Sequence, residues 1–342
     1  MLYSTCPFPL RFTLCLVLLG GASLVRGAEP YTPAIPMGLK ALPATTDNPL
    51  TAEKIALGKQ LYFEPRLSAD NSLSCASCHD PKKGWSNADA TAVGFQGQRG
   101  GRSAPTVLNT AYQQFQFWDG RAGSLEDQAL GPIANPIEMN LPIEEAVKRL
   151  AAIEGYAQQF QAVFGEPVNA QNLAKAIAAF ERTVLTGNAP YDRFRAGQTD
   201  ALSEQAQAGM KLFFGKANCS GCHVGPNFTD NGFHNLGVSI DKTEPDVGRQ
   251  AVSQLGGDRG AFKTPTLREI ARTAPYMHDG SLATLEDVVD YYSRGATPND
   301  HLDEEIFALN LSAEQKAALV AFLKEGLSSA DYPDIEAPEL PK

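Results

Sequence analysis

Hydrophobic residues along this chain recur mainly at helical spacing. Between 169 and 186, Leu173, Ile177, Phe180 and Val184 follow one another at steps of three or four, which places them on one face of a helix. Closer to the C-terminus Ser312 reads as an N-cap and Gln315 completes a capping box; the helix they open turns Leu319, Phe322 and Leu323 inward. Leu285 to Tyr292 reads as a further short helix. Two more begin at Thr51 and Ser203, whose side-chain oxygens can satisfy the free amides of a first turn. Strict alternation is nowhere sustained. The stretches 80–106 and 224–260 are rich in Gly, Pro and Asn and read as loops. The pattern predicts a mainly α fold with long loops.

The helices that begin at Thr51 and Ser203 carry an internal repeat. Gly58-Lys59-Gln60-Leu61-Tyr62-Phe63 and Gly209-Met210-Lys211-Leu212-Phe213-Phe214 both read Gly-x-x-Leu-aromatic-Phe, with the glycine open to close approach by another helix. Each copy precedes a Cys-x-x-Cys-His motif: Cys75-Ala76-Ser77-Cys78-His79 and Cys219-Ser220-Gly221-Cys222-His223. Gly and Cys lie 17 residues apart in the first unit and 10 in the second, so the units are similar without being copies. This motif is the pattern of covalently attached c-type haem. Two thiols add across the vinyl groups, and the adjacent His offers a nitrogen to iron. One copy alone also suits a zinc half-site or a redox dithiol. Two copies are more specific, and the remaining two of the six cysteines, Cys6 and Cys15, both fall within the first 28 residues. The motifs point to two covalent haems c, one held through Cys75, Cys78 and His79, the other through Cys219, Cys222 and His223.

Residues 1–28 resemble a cleaved secretory signal. Arg11 precedes an apolar run from Phe12 to Leu19, and Val25-Arg26-Gly27-Ala28 resembles a small-residue cleavage site. The run is too short to span a bilayer, although a retained N-terminal anchor is the competing reading, and no later segment is apolar enough to cross a membrane. Phe12-Thr13-Leu14 before Cys15 lacks the small residues of a lipoprotein signal. Cleavage predicts a periplasmic protein, which suits c-type haem because its attachment in bacteria occurs outside the cytoplasm. Removing Arg11 and Arg26 turns 29 basic and 39 acidic residues into 27 and 39, a net charge of −12. Such a chain is a poor nucleic-acid binder; its surface acid suits a basic partner protein, or plain solubility. The mature chain, about 310 residues, can form two domains with their own cores. A polar stretch from Gly187 to Leu202 contains the boundary. This gives two cytochrome c-like haem domains, 29–195 and 196–342, with haem supplying much of each apolar core.

Further segments carry a resemblance. They are Arg102-Ser103-Ala104-Pro105-Thr106, Phe117-Trp118-Asp119-Gly120-Arg121, Gly131-Pro132 through Pro136-Ile137-Glu138-Met139, Thr264-Pro265-Thr266-Leu267-Arg268 and Ala274-Pro275-Tyr276-Met277-His278-Asp279-Gly280. With the two haem motifs they span about Leu50 to Leu327, and over that length the chain resembles the bacterial di-haem cytochrome c peroxidase family, including its MauG branch. The resemblance implies that the haem of His79 meets hydrogen peroxide and that the haem of His223 passes electrons. It places Glu138 and Gln128 on the distal side of the first haem, with Pro132 shaping the wall. Splitting the O–O bond heterolytically moves a proton from one oxygen to the other, which one positioned carboxylate can do. By residue type alone Glu138 reads equally as a surface acid. Trp118 matches a Trp between the two haems, where an indole can relay an electron; it also reads as a buried core aromatic. Thr273 and Pro275 match carbonyl ligands of a calcium ion, a hard cation suited to oxygen. The family's third ligand is an Asn, and Ser103 stands in its place.

Two departures sharpen the expectation. The chain has five histidines, His79, His223, His234, His278 and His301, and none lies between the first two motifs. Many di-haem peroxidases block the peroxidatic iron with a loop His. The aligned loop here is Val93-Gly94-Phe95-Gln96-Gly97-Gln98-Arg99, which implies a site open without prior reduction. The sixth ligand of the second haem is a Met in those peroxidases, whereas Tyr292 is aligned here, as in MauG; phenolate favours oxidised iron. Met277 and Tyr291 remain alternative ligands. His234 and His278 are expected to hydrogen-bond within the haem surroundings.

The resulting expectation is a periplasmic di-haem peroxidase of the MauG-like kind that draws electrons from a protein partner. A conventional peroxidase fed by a small cytochrome or cupredoxin is the first alternative. A di-haem electron carrier is the second, disfavoured by Glu138 and Gln128.

Overall fold

The computed structural model describes residues 1–3 and 29–342; the apolar run and cleavage site of the expected leader lie outside the described residues. Helices dominate. In chain order they are α1 (Ala52–Tyr62), α2 (Cys75–Cys78), α3 (Leu125–Ala134), α4 (Ile143–Ala151), α5 (Glu154–Phe164) and α6 (Ala170–Glu181), followed by α7 (Pro190–Arg195), α8 (Glu204–Phe213), α9 (Gln250–Ser253), α10 (Leu285–Ser293) and α11 (Ala313–Ala321). The last continues as a π turn over Phe322–Gly326. Two short strands, β1 (Phe233–Asn235) and β2 (Ala261–Lys263), pair antiparallel with Phe233 opposite Lys263. The capping signals read from sequence are in place. Thr51, Ser203 and Ser312 each accept from an amide of the first turn, and Gln315 completes its box.

The Gly-x-x-Leu-aromatic-Phe repeat sets two helix crossings, α1 on α6 and α8 on α11. A Cβ at Gly58 would stand 1.9 Å from the Ala176 carbonyl oxygen, and one at Gly209 1.9 Å from that of Ala318. Both would also stand 2.9 Å from a phenylalanine Cβ, that of Phe180 or Phe322. Only glycine allows backbones to approach so closely. Around the first crossing Leu57, Leu61, Phe160 and Ile177 are fully buried; around the second lie Phe213, Phe228, Leu319 and Phe322. Each such side chain contributes roughly 1.5–3 kcal/mol by leaving water.

A second repeat joins these crossings. Residues 103–132 and 263–292 share one gap-free register. It pairs Pro105-Thr106 with Pro265-Thr266, Asp119-Gly120 with Asp279-Gly280, and Leu125-Glu126-Asp127 with Leu285-Glu286-Asp287. The backbone follows suit. Asn109 and Glu269 are both left-handed at φ 59°, as are Phe117 (65°) and Met277 (71°). The two copies meet and exchange bonds: the Ser103 amide donates to the His278 carbonyl at 2.7 Å, and the Lys263 amide to the Trp118 carbonyl at 2.8 Å. Asn109 also grips both the amide and the carbonyl of Thr186, while Glu269 accepts from its hydroxyl at 2.8 Å.

Beyond Thr186, helix α7 packs Tyr191 against Phe214, Phe228 and Phe322, and Asp192 forms a buried two-pronged pair with Arg268. The C-terminal tail then crosses back to the N-terminal helices. The Tyr332 hydroxyl donates to the Pro81 carbonyl, the Trp85 indole to that of Pro333 at 3.0 Å, and Arg66 to that of Pro341 at 2.8 Å. Among the described residues, no helix is long and apolar enough to cross a membrane.

Candidate haem-binding centre

A cavity of ≈ 690 Å³ lies where the two repeats meet, and both Cys-x-x-Cys-His segments line it. The first motif opens α2; the second forms a 3-10 turn over Cys219–Gly221. Each histidine is oriented through its inner nitrogen: Nδ1–H of His79 donates to the Pro105 carbonyl at 2.9 Å and that of His223 to the Phe228 carbonyl at 3.0 Å. A carbonyl only accepts, so Nε2 is left as the free lone pair. Burial lowers both pKa values and keeps the rings neutral, the state a metal needs.

The four cysteines form no disulfides. Burial pushes the Cys78 thiol up to about 11 and that of Cys219 to about 12, and raises Cys75 too. A reactive dithiol needs the opposite shift. Among the described residues the one cluster of three metal-type donors is Cys222, Asp230 and His234, so the two cysteine pairs do not converge into a zinc site. The residues present fit two haem groups: paired thiols beside an oriented imidazole, twice, on one largely apolar cavity.

Gln128 and Pro132 lie one turn apart on α3 and both border the cavity. Glu138 borders it too, on the loop after α3. Burial raises its pKa, while the Arg121 charge and a hydrogen bond from Asn135 pull it partly back. Its charge in turn raises Cys78, which sets Glu138 beside the first motif. The loop Val93–Arg99 buttresses this segment. The Phe95 amide donates to the carbonyls of Ile137 and Glu138 at 3.1 and 2.7 Å, and a Cβ on Gly94 would stand 2.0 Å from the Ile137 carbonyl.

Trp118 borders the cavity, and its indole N–H donates to the Ser103 carbonyl at 2.9 Å. Tyr291 and Tyr292 separate clearly. The Tyr291 hydroxyl donates to the Leu236 carbonyl at 2.7 Å, whereas that of Tyr292 has no hydrogen-bond partner among the described residues and borders the cavity. Burial, then the Cys219 and Cys222 sulfurs, raise the Tyr292 pKa. Met277 borders the cavity as well. The Thr273 and Pro275 carbonyls receive no hydrogen bond from the described residues. Ser103 spends its amide and carbonyl on His278 and Trp118, leaving its hydroxyl free.

His234 is held on both nitrogens, by Asp303 at 2.6 Å and Asp230 at 2.9 Å. The His278 ring stacks on Phe262 with centroids 3.6 Å apart, and His301 is exposed. Two buried residues at the cavity drew no attention in the sequence. Burial pushes Glu181, which ends α6, up to about 8, and Lys263 ends β2. Neither belongs to a motif; only the second repeat, which sets Lys263 opposite Ser103, singles one out.

Residues 52–200 match the model of the di-haem cytochrome c peroxidase family. The methylamine utilization protein MauG of Methylorubrum extorquens is 42% identical over 98% of this chain and 99% of its own. Cytochrome c551 peroxidase of Nitrosomonas europaea is 37% identical over 95% and 91%. The crystal structure of a MauG-like protein associated with microbial copper homeostasis superposes with a TM-score of 0.81 at 33% identity, covering 89% of this chain and 98% of that one. The chain therefore belongs to the di-haem cytochrome c peroxidase family, an oxidoreductase with two haem groups that acts on hydrogen peroxide with an electron donor.

Proposed function

We propose that this chain is a periplasmic, MauG-like di-haem peroxidase built of two cytochrome c-like domains, 29–195 and 196–342. Cys75 and Cys78 would hold the first haem through thioether bonds and His79 would offer Nε2 to its iron; Cys219, Cys222 and His223 would hold the second. Bound haem iron supplies the electron exchange with peroxide. Ionised Glu138 takes a proton from the near oxygen of hydrogen peroxide and returns it to the leaving oxygen. Gln128, a turn from Pro132, orients the peroxide with its amide. Trp118 would relay electrons between the haems, and Tyr292 would offer its phenol oxygen to the second iron. The Thr273 and Pro275 carbonyls and the Ser103 hydroxyl would hold a calcium ion.

The observation that carries this reading is the pairing of Pro132 with Tyr292 in the second repeat. The same helical position bears a residue that cannot ligate in one half and an orphan phenol in the other. This arrangement would offer no side-chain ligand to one iron and a phenol to the other. The absence of a His in Val93–Arg99, packed against the Glu138 loop, supports access without prior reduction. Met277 at the cavity favours a second reading, a conventional peroxidase fed by a small donor protein.

The test is stopped-flow mixing of the as-isolated, fully oxidised protein with hydrogen peroxide, alongside haem content by pyridine haemochrome. Two haems that survive acid-acetone extraction and a direct reaction are expected. Reaction only after one-electron reduction overturns the open-site reading, and extractable haem overturns covalent attachment.

A further inference from the structure

Three Lys or Arg side chains border the central cavity: Arg102, Arg121 and Lys263. Arg102 is held by Asp119 and Asp246, and Arg121 by Asp119. Lys263 differs. It is 6% exposed, no carboxylate of the described residues forms an ion pair with it, and its ammonium donates only to Oε1 of Gln113, at 3.1 Å. Asp230, the one acid that acts on it, is occupied by His234 and the Gly232 amide. Burial, only partly offset by Asp230, pushes the ammonium down to about 8. A buried cation without a counter-charge is strongly disfavoured, and the group that supplies the charge belongs in the cavity it faces.

We propose that Lys263, positioned by Gln113, seats a propionate carboxylate of the haem held by His223. This rests on the two-haem reading. Lys263 leads directly into Thr264-Pro265, and the Pro265 backbone is in hydrogen-bonding reach of the His223 ring. The second repeat supplies an independent argument. Its register sets Lys263 opposite Ser103 and Gln113 opposite Thr273, so the ammonium–amide contact is the counterpart of the Ser103–Thr273 side of the junction. There the free oxygens suit a bound cation; here the cation is part of the chain. The Lys263 amide bonds the Trp118 carbonyl, which fixes this seat to the indole between the haems.

A positive charge on the propionate favours the reduced haem. Lys263→Met therefore shifts the reduction potential of the second haem downward in spectroelectrochemical titration, leaves the first haem within error, and retains two haems per chain. Lys263→Arg keeps the wild-type potential. Should Lys263→Met load poorly, Lys263→Gln, which keeps a donor without the charge, is read the same way. An unmoved second potential refutes the seat. Equal shifts in the Arg and Met variants also refute it, because packing rather than charge then sets the potential. Wild-type protein with fewer than two haems overturns the two-haem reading, and this seat with it; two haems and an unmoved potential overturn the seat alone.

Discussion

Glu138→Gln isolates proton transfer from binding. The side chain keeps its size and its contact with Asn135, so the loop stapled to Phe95 has no reason to move. The amide cannot carry a proton between two oxygens, and loss of one general acid–base group costs about 10²–10⁴-fold. The surroundings place this protein toward the upper end. Of the other acids that border the cavity, Asp119 and Asp246 are tied to Arg102, and Glu305 accepts from Asn218. Glu181, which acts on Cys75 of the same motif, is pushed up to about 8 by burial and so stays protonated where Glu138 is ionised. With no second base beside the first, a loss of about 10³-fold or more is expected, roughly 4 kcal/mol at 1.36 kcal/mol per decade. The pH dependence carries its own sign. Burial raises the Glu138 pKa, and its ionised form is the base. The peroxide rate therefore rises with pH through an acid limb above the ordinary carboxyl value of 4.5, and the limb vanishes in the Gln variant. Removing the Arg121 charge raises that pKa further, so Arg121→Gln moves the limb to higher pH. The assay is stopped flow on variants shown to hold two haems. A Glu138→Gln rate within a few-fold of wild type, or an unchanged acid limb, refutes the assignment.

Three further outcomes are expected. Tyr292→Phe should convert the second haem from its low-spin signal in electron paramagnetic resonance, and Tyr292→Met should raise its potential; an untouched signal moves the ligand to Met277. Gly209→Ala drives a Cβ to 1.9 Å from the Ala318 carbonyl, so α8 and α11 must part. About 3 kcal/mol or more is lost in guanidinium unfolding, while Gly256→Ala, with nothing within 4 Å, is the silent control. Asp192→Asn leaves Arg268 buried without its charge partner and should cost about 3–5 kcal/mol in the same assay.

The sequence was most informative where local chemistry decides structure. Thr51, Ser203 and Ser312 announce their helices because the capping oxygen sits next to the first turn it satisfies. Helices α4 and α5 announce nothing: they start after Pro142 and Ile153, neither of which offers a side-chain cap. The strand pair β1–β2 is too short to show alternation. At the centre, the haem motifs and the glycines of the first repeat were readable as strings. Lys263 and Glu181 were not, because a buried lysine in a three-residue strand and an acid ending an amphipathic helix look ordinary until the fold brings a cavity to them.

On the proposed reading, the second repeat lets one backbone serve two haems with different tasks. Residues that hold its shape are kept in both copies: Pro-Thr ahead of the left-handed turn, Asp-Gly at the tight turn, Leu-Glu-Asp where the helix starts. Several of the positions that differ border the cavity. Pro132 stands opposite Tyr292, Gln128 opposite Val288, Trp118 opposite His278 and Ser103 opposite Lys263. Glu181 and Leu323 follow the same logic on the paired helices, each next to the phenylalanine that packs on a repeat glycine. On the proposed reading the first copy thus carries Gln128 for peroxide and lacks a ligand at Pro132, and the second carries a ligand in Tyr292. Because turns and caps set the backbone while these cavity positions set the chemistry, the two functions could diverge without either copy losing its fold.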